Sequence, residues 1–139
     1  MSRTNELTFV DSGAWIALAV TTDPYHARAM NAWADLVATN ARLVTSIPVV
    51  IETFTFLDRN TARDVAKAWR DQVTSMRRLQ IVECTLADLT KSWTWFEDPG
   101  LFRLSAVDAT SFVVMRRLKV RRAFAFDQHF AKAGFRLVG

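Results

Sequence analysis

Leu7-Thr8-Phe9-Val10-Asp11-Ser12-Gly13-Ala14-Trp15 decides how the chain must be read. The run Leu7–Val10 has the length and apolar character of a buried strand. It ends on a carboxylate, and a helical stretch follows from about Ser12 to Val20. A strand feeding straight into a helix is half of a βαβ unit, and the rest of the chain repeats the pattern.

Working outward, the turn Thr21-Thr22-Asp23-Pro24 opens a helix from about Tyr25 to Thr39, and Leu43–Thr45 is a second strand. Ser46 followed by Pro48 starts the next helix, because Ser caps and Pro suits a first turn. That helix runs through Leu57, and another extends from near Thr61 to Arg77-Arg78. Leu79–Cys84 is a third strand. Thr85 to about Phe96 is helical, and Asp98-Pro99-Gly100 breaks it. Ser105 caps a helix reaching about Leu118, Arg122–Phe126 is a fourth strand, and Phe135–Val138 is a fifth. Strands apolar throughout and separated by helices imply a parallel sheet covered on both faces. The expectation is one α/β domain over residues 1–139, with four to five parallel strands. Ligands in such folds gather beyond the carboxyl ends of the strands.

Composition narrows the chemistry. Half of the 139 residues are apolar and 23% are charged, which describes a globular chain. With one cysteine, Cys84, neither an internal disulfide nor a cysteine-based zinc site can form, and two histidines are too few for a histidine-rich one. The start shows no signal-peptide apolar region, and no run approaches the roughly 18 residues of a membrane span. A cytoplasmic protein away from membranes is the expectation. Net charge is +4. Residues 1–70 carry seven basic and seven acidic side chains, and residues 71–139 carry eleven and seven. Arg116, Arg117, Lys119, Arg121 and Arg122 make up much of the excess. They fit either a phosphate backbone or a solvated helix end.

Four acids stand in apolar company. Asp11 follows Leu-Thr-Phe-Val; Glu52 lies in Ile47-Pro48-Val49-Val50-Ile51-Glu52-Thr53-Phe54; Asp108 lies in Ala106-Val107-Asp108-Ala109; Asp127 ends Phe124-Ala125-Phe126. None has Lys or Arg among the four residues before it. Burying an ionised carboxylate costs several kcal/mol, in order of magnitude, unless something compensates. Asp11 and Asp127 fall at carboxyl ends of strands, and Glu52 and Asp108 fall early in helices, so all four can face one sheet edge. Singly, Asp11 could be a helix cap, Asp127 a turn residue, and Ser105 with Asp108 a variant capping box. Together they need a shared cause. A hard divalent cation with all-oxygen ligands, Mg²⁺ or Mn²⁺, supplies it. Such an ion can activate water against a phosphodiester, and a basic surround suits a polyanionic substrate.

The chain resembles the PIN-domain family, and within it the VapC-type toxins of bacterial toxin–antitoxin pairs. The resemblance rests on Phe9-Val10-Asp11-Ser12-Gly13-Ala14-Trp15, Glu52-Thr53, Leu104-Ser105-Ala106-Val107-Asp108-Ala109 and Phe126-Asp127-Gln128-His129-Phe130, in that order across the chain. It implies a three-layer α/β/α fold and a Mg²⁺- or Mn²⁺-dependent endoribonuclease. It also implies a homodimer, and inhibition by a cognate antitoxin. Asp11, Glu52, Asp108 and Asp127 match the family's metal-binding acids, and Ser12 and Ser105 match supporting hydroxyls. Ala125 departs from the pattern, because many relatives place Thr or Ser two residues before the last acid.

The competing readings are an RNA-binding or interaction module with a vestigial site, and a metal-dependent nuclease or phosphohydrolase that is no toxin. Trp93, Trp95, Phe96 and Phe102 read as core or dimer contacts, with base stacking as the alternative. Trp33 and Trp69 read as packing residues, His129 as a surface histidine and Cys84 as buried and inert.

Overall fold

The computed structural model describes residues 6–139. Five strands form one sheet: β1 (Leu7–Val10), β2 (Arg42–Ser46), β3 (Leu79–Val82), β4 (Arg122–Phe124) and β5 (Arg136–Val138). Their order is β3-β2-β1-β4-β5, and every neighbouring pair is parallel. Seven helices connect and cover them: α1 (Ser12–Ala19), α2 (His26–Ala38), α3 (Ile47–Asn60), α4 (Arg63–Ser75), α5 (Leu86–Ser92), α6 (Ala106–Arg117) and α7 (His129–Lys132). A 3-10 segment, Trp93–Glu97, extends α5. This is the expected three-layer α/β/α arrangement.

Three expected boundaries move. The fourth strand stops at Phe124, so Ala125, Phe126 and Asp127 form a loop into α7, a helix the sequence reading did not include. The third strand stops at Val82, which leaves the half-buried Cys84 in a loop. The helix expected to reach Phe96 changes to 3-10 pitch at Trp93. Each difference falls where a short strand or helix gives way to loop, and local pattern constrains element ends least. The cap at Ser46 is as expected: its side chain accepts from the Val49 amide at 3.4 Å.

The strand order positions the site. The chain runs outward from β1 through β2 to β3, then returns to the other side of β1 for β4 and β5. The reversal lies between β1 and β4, where the connections leaving the two carboxyl ends run to opposite sides of the sheet and leave a crevice beyond its edge. The Asp11 amide donates to the Phe124 carbonyl at 3.0 Å, which ties the first residue past β1 to the end of β4. Beneath the crevice lie Phe9, Val10, Phe112, Phe124 and Phe130, all fully buried. Phe112 meets Trp95 and Phe130 edge-on, each at 5.0 Å between centroids. On the other side of the molecule Trp15 packs against Trp33 and Trp69, both at 5.9 Å, so those two are packing residues as expected.

Because Phe112 joins α6, α7 and the 3-10 segment, Phe112→Ala is expected to cost about 3–5 kcal/mol in urea unfolding. A loss below about 1 kcal/mol would show that this aromatic cluster does not hold the layers together.

Candidate metal centre

The crevice brings all four acids together. Asp11, Glu52, Asp108 and Asp127 line one hollow of about 370 Å³ with Ser12, Gly13, Ile16, Phe56, Arg103 and Ser105. Each arrives by a different route. Asp11 follows the last residue of β1 and precedes α1. Asp127 sits three residues past β4, the strand beside it. Glu52 is reached after the first turn of α3, and Asp108 sits in the first turn of α6. Ser105 caps α6 by accepting from the Asp108 amide at 3.0 Å, which fixes the turn that carries the Asp108 side chain.

Burial sets the electrostatics. Asp11 is 3% exposed and its carboxyl is pushed from 3.8 up to about 7. Desolvation is the main cause, the Ser12 and Gly13 amides offset part of it, and the charges of Glu52 and Asp127 raise it further. Those amides close no capping hydrogen bond, and Asp11 Oδ1 is buried without a partner. Asp108 is also buried and is pushed up to about 8, first by desolvation and then by Asp11, Asp127 and Glu52. Asp127 is exposed and Glu52 half-buried at the mouth of the hollow.

Asp88 is the internal control. It too is closed off from solvent, though it lies nearer the surface than Asp11, and its carboxyl is lowered. Desolvation acts on it too, but the Thr85 amide, Arg117 and the Thr85 hydroxyl outweigh that cost. Arg117 grips it with two hydrogen bonds, at 2.9 and 3.1 Å. A compensated buried acid in this chain has a cation and a cap. Among the described residues, no Lys or Arg grips any of the four at the crevice.

The arrangement fits a hard divalent cation. The donors are carboxylate oxygens, one is an orphaned buried atom, and two carboxyls hold protons that a cation would displace. Ligand atoms of Asp108, Asp127 and His129 all lie within 4.8 Å of one another. His129 is half-buried at the edge of the hollow and engaged on both sides of its ring. Its Nδ1 is 3.0 Å from Asp127 Oδ1, though off the direction of a hydrogen bond, and its amide donates to the same oxygen at 2.8 Å. Its Nε2 lies 2.7 Å from the Phe102 carbonyl oxygen. His129 thus braces Asp127 against the loop before α6.

The basic cluster is elsewhere. Arg116, Arg117, Lys119, Arg121 and Arg122 occupy the carboxyl end of α6 and the start of β4, the opposite end of the sheet from the acids. Helix α6 alone separates the two ends by about 18 Å. Arg117 holds Asp88, Arg122 lies 3.7 Å from Glu6, and Arg116 lies over the Trp95 ring and donates to the Ala133 carbonyl. A run of cations in sequence gave no sign that a whole helix would carry it away from the acids. The cation that does line the hollow is Arg103, which the sequence reading did not single out. Only its place five residues before Asp108 could have flagged it.

Two outcomes follow from the raised carboxyls. Between their unfolded value near 3.8 and the folded values of about 7 and about 8, the native state binds more protons than the unfolded chain. Stability of the metal-free protein therefore falls as pH rises from about 5 to about 8. Melting in chelator across that range checks the sign, and a rising curve would contradict it. At about pH 8 in chelator, Asp108→Asn is expected to melt a few degrees above the native protein, because it removes one of the charges that repel there. A lower melting temperature would mean that the acids do not repel.

Comparison with known proteins agrees with this geometry. The sequence pattern of the PIN domain matches residues 8–136. The 23S rRNA-specific endonuclease VapC20 of Mycobacterium tuberculosis is 35% identical over 130 residues, covering 93% of this chain and 95% of the relative. The crystal structure of M. tuberculosis VapC20, described as a sarcin–ricin loop cleaving toxin, superposes with a TM-score of 0.82 at 32% identity, covering 94% of this chain and 96% of that one. VapBC2 from Rickettsia felis, solved with a DNA fragment from its promoter, shares the fold at a TM-score of 0.68 and 13% identity, with 94% and 96% covered. This chain belongs to the PIN-domain family and, within it, to the VapC-type proteins.

Proposed function

We propose that the protein is a divalent-metal-dependent endoribonuclease whose centre is the acid crevice, and that it is the toxin of a toxin–antitoxin pair. The observation that carries the reading is the orphaned, buried carboxylate of Asp11 facing three other acids with no ion pair to a cation among the described residues. Asp11, Asp108 and Asp127 would hold Mg²⁺ or Mn²⁺, with Glu52 across the hollow. When bound, such an ion lowers the pKa of water and stabilises charge on a phosphoryl oxygen. Asp11 and Asp108 each keep a proton on a carboxyl oxygen up to about pH 7 and about pH 8 and give it up as the cation binds. Ser105 orients Asp108, His129 orients Asp127, and Ser12 lines the rim beside Asp11.

The relative's substrate supports an exposed loop of 23S rRNA as the target. Lys119 and Arg121 make no ion pair among the described residues and are available to the RNA backbone away from the cut. A cognate antitoxin, a homodimer and a cytoplasmic location belong to the same reading. Among the described residues, no helix is long and apolar enough to cross a membrane.

Purified protein is expected to cut a hairpin RNA carrying the sarcin–ricin loop with Mg²⁺ or Mn²⁺ and not in chelator. Asp11→Asn is expected to slow cleavage by more than the roughly 10–100-fold that loss of an outer partner of a metal ligand costs. Cleavage by Asp11→Asn at the native rate would exclude this centre.

A further inference from the structure

The loop between the 3-10 segment and α6 supplies none of the four acids, yet it is anchored at several points. Leu101 and Leu104 are buried and pin it to the core at both ends. Asp98 accepts from the Gly100 amide at 2.8 Å and closes the turn into it. The Phe102 carbonyl is tied to His129 Nε2, hence to the helix beside Asp127. Between the two leucines, this anchored backbone raises Phe102 and Arg103 into solvent.

Neither side chain has a structural use in that position. Phe102 is 75% exposed, in a chain whose other phenylalanines are mostly core. The anchored backbone leaves the apolar faces of the ring in water, free to meet a flat partner. Arg103 lines the acid hollow but forms no ion pair with any of the four carboxylates. Its guanidinium instead lies 5.5 Å from the centroid of the Phe102 ring, at the mouth. Its backbone has φ +60°, a left-handed conformation that a non-glycine residue adopts only when its surroundings impose it. A ring beside a cation at the rim of a phosphodiester-cutting centre matches a nucleotide, which offers a flat base and an anionic phosphate about one residue apart.

We propose that Phe102 and Arg103 are the substrate-gripping element of this nuclease, Phe102 stacking on an unpaired base and Arg103 pairing with a phosphate next to the one at the metal centre. The proposal rests on the nuclease reading for its substrate and on the loop geometry for its residues. It makes the enzyme selective for loops, because a base inside a duplex has no free face for Phe102. Phe102 reaches the hollow through Arg103, which lines it and lies over the ring; Trp93 and Phe96, exposed and 6.2 Å apart in the preceding segment, carry no such arginine among the described residues and are not needed for the grip.

The test separates grip from chemistry. KM and kcat are measured with Mn²⁺ on the sarcin–ricin hairpin, and affinity is measured by fluorescence anisotropy in the Asp11→Asn background, where cutting is suppressed. Phe102→Ala and Arg103→Ala are expected to raise KM and Kd on the order of 5- to 150-fold, the range of one lost base stack, and to change kcat less. Phe102→Tyr restores most of the affinity, Arg103→Lys restores part, and Lys67→Ala on the exposed face of α4 changes nothing. On a fully paired RNA of the same length Phe102→Ala has no effect. Native affinity in both alanine variants overturns the proposal, and so does an equal loss on hairpin and duplex. Hairpin affinity that depends on Phe102 in a protein that cuts no RNA would leave the grip standing and remove the nuclease reading instead.

Discussion

Carboxylates that share an edge repel one another, and burial of Asp11 and Asp108 keeps water from easing it. That repulsion at the carboxyl ends of β1 and β4 is the constraint around which the molecule is arranged. The strand order opens a crevice at its switch point, and the apolar layer of Phe9, Phe112, Phe124 and Phe130 beneath keeps the floor dry. Dryness makes the site costly when empty and effective when filled. The same desolvation that pushes Asp11 to about 7 and Asp108 to about 8 also strengthens every interaction with a cation placed between them. Asp88 shows the alternative open to the same chain, a buried acid neutralised by Arg117 and a helix cap. A built-in arginine at the crevice would have made the site stable and inert.

Support around the acids is lopsided in a way that suits turnover. Asp11 and Asp108 are deep and fixed by the strand end and the α6 cap, whereas Asp127 is exposed and held by the amide of His129, whose ring lies beside it. The exposed side is also where Phe102 and Arg103 stand, on a loop that shares His129 with Asp127. One histidine therefore couples the metal-facing acid to the rim that would meet substrate. Ala125, where many relatives carry a hydroxyl, is buried against the core and offers the acids no hydrogen bond. The last acid is braced instead by the backbone amide of His129.

How much of this was legible in the sequence depends on which interactions are local. The strand Leu7–Val10, the caps at Ser46 and Ser105, and the four uncompensated acids could all be read because each is a pattern of near neighbours. Their convergence followed from one topological rule about parallel sheets. Arg103 and the bracing role of His129 were not legible, since both depend on a loop turning back across the crevice, and no periodicity encodes that. The placing of the basic run 116–122 was not legible for the same reason: its charges are adjacent in sequence, but α6 carries them to the far end of the sheet from the acids. Asp88 escaped notice because its partner Arg117 lies 29 residues away.

The central claim is that a cation, by displacing protons, makes the crevice tolerable. Calorimetric titration of Mn²⁺ into the metal-free protein near pH 7, repeated in buffers of different ionisation heat, tests it most directly. The account predicts binding whose heat changes with the buffer, because protons leave Asp11 and Asp108 as the ion enters, and loss of that binding in Asp11→Asn. Absence of binding, or binding unchanged by Asp11→Asn and indifferent to the buffer, would contradict it.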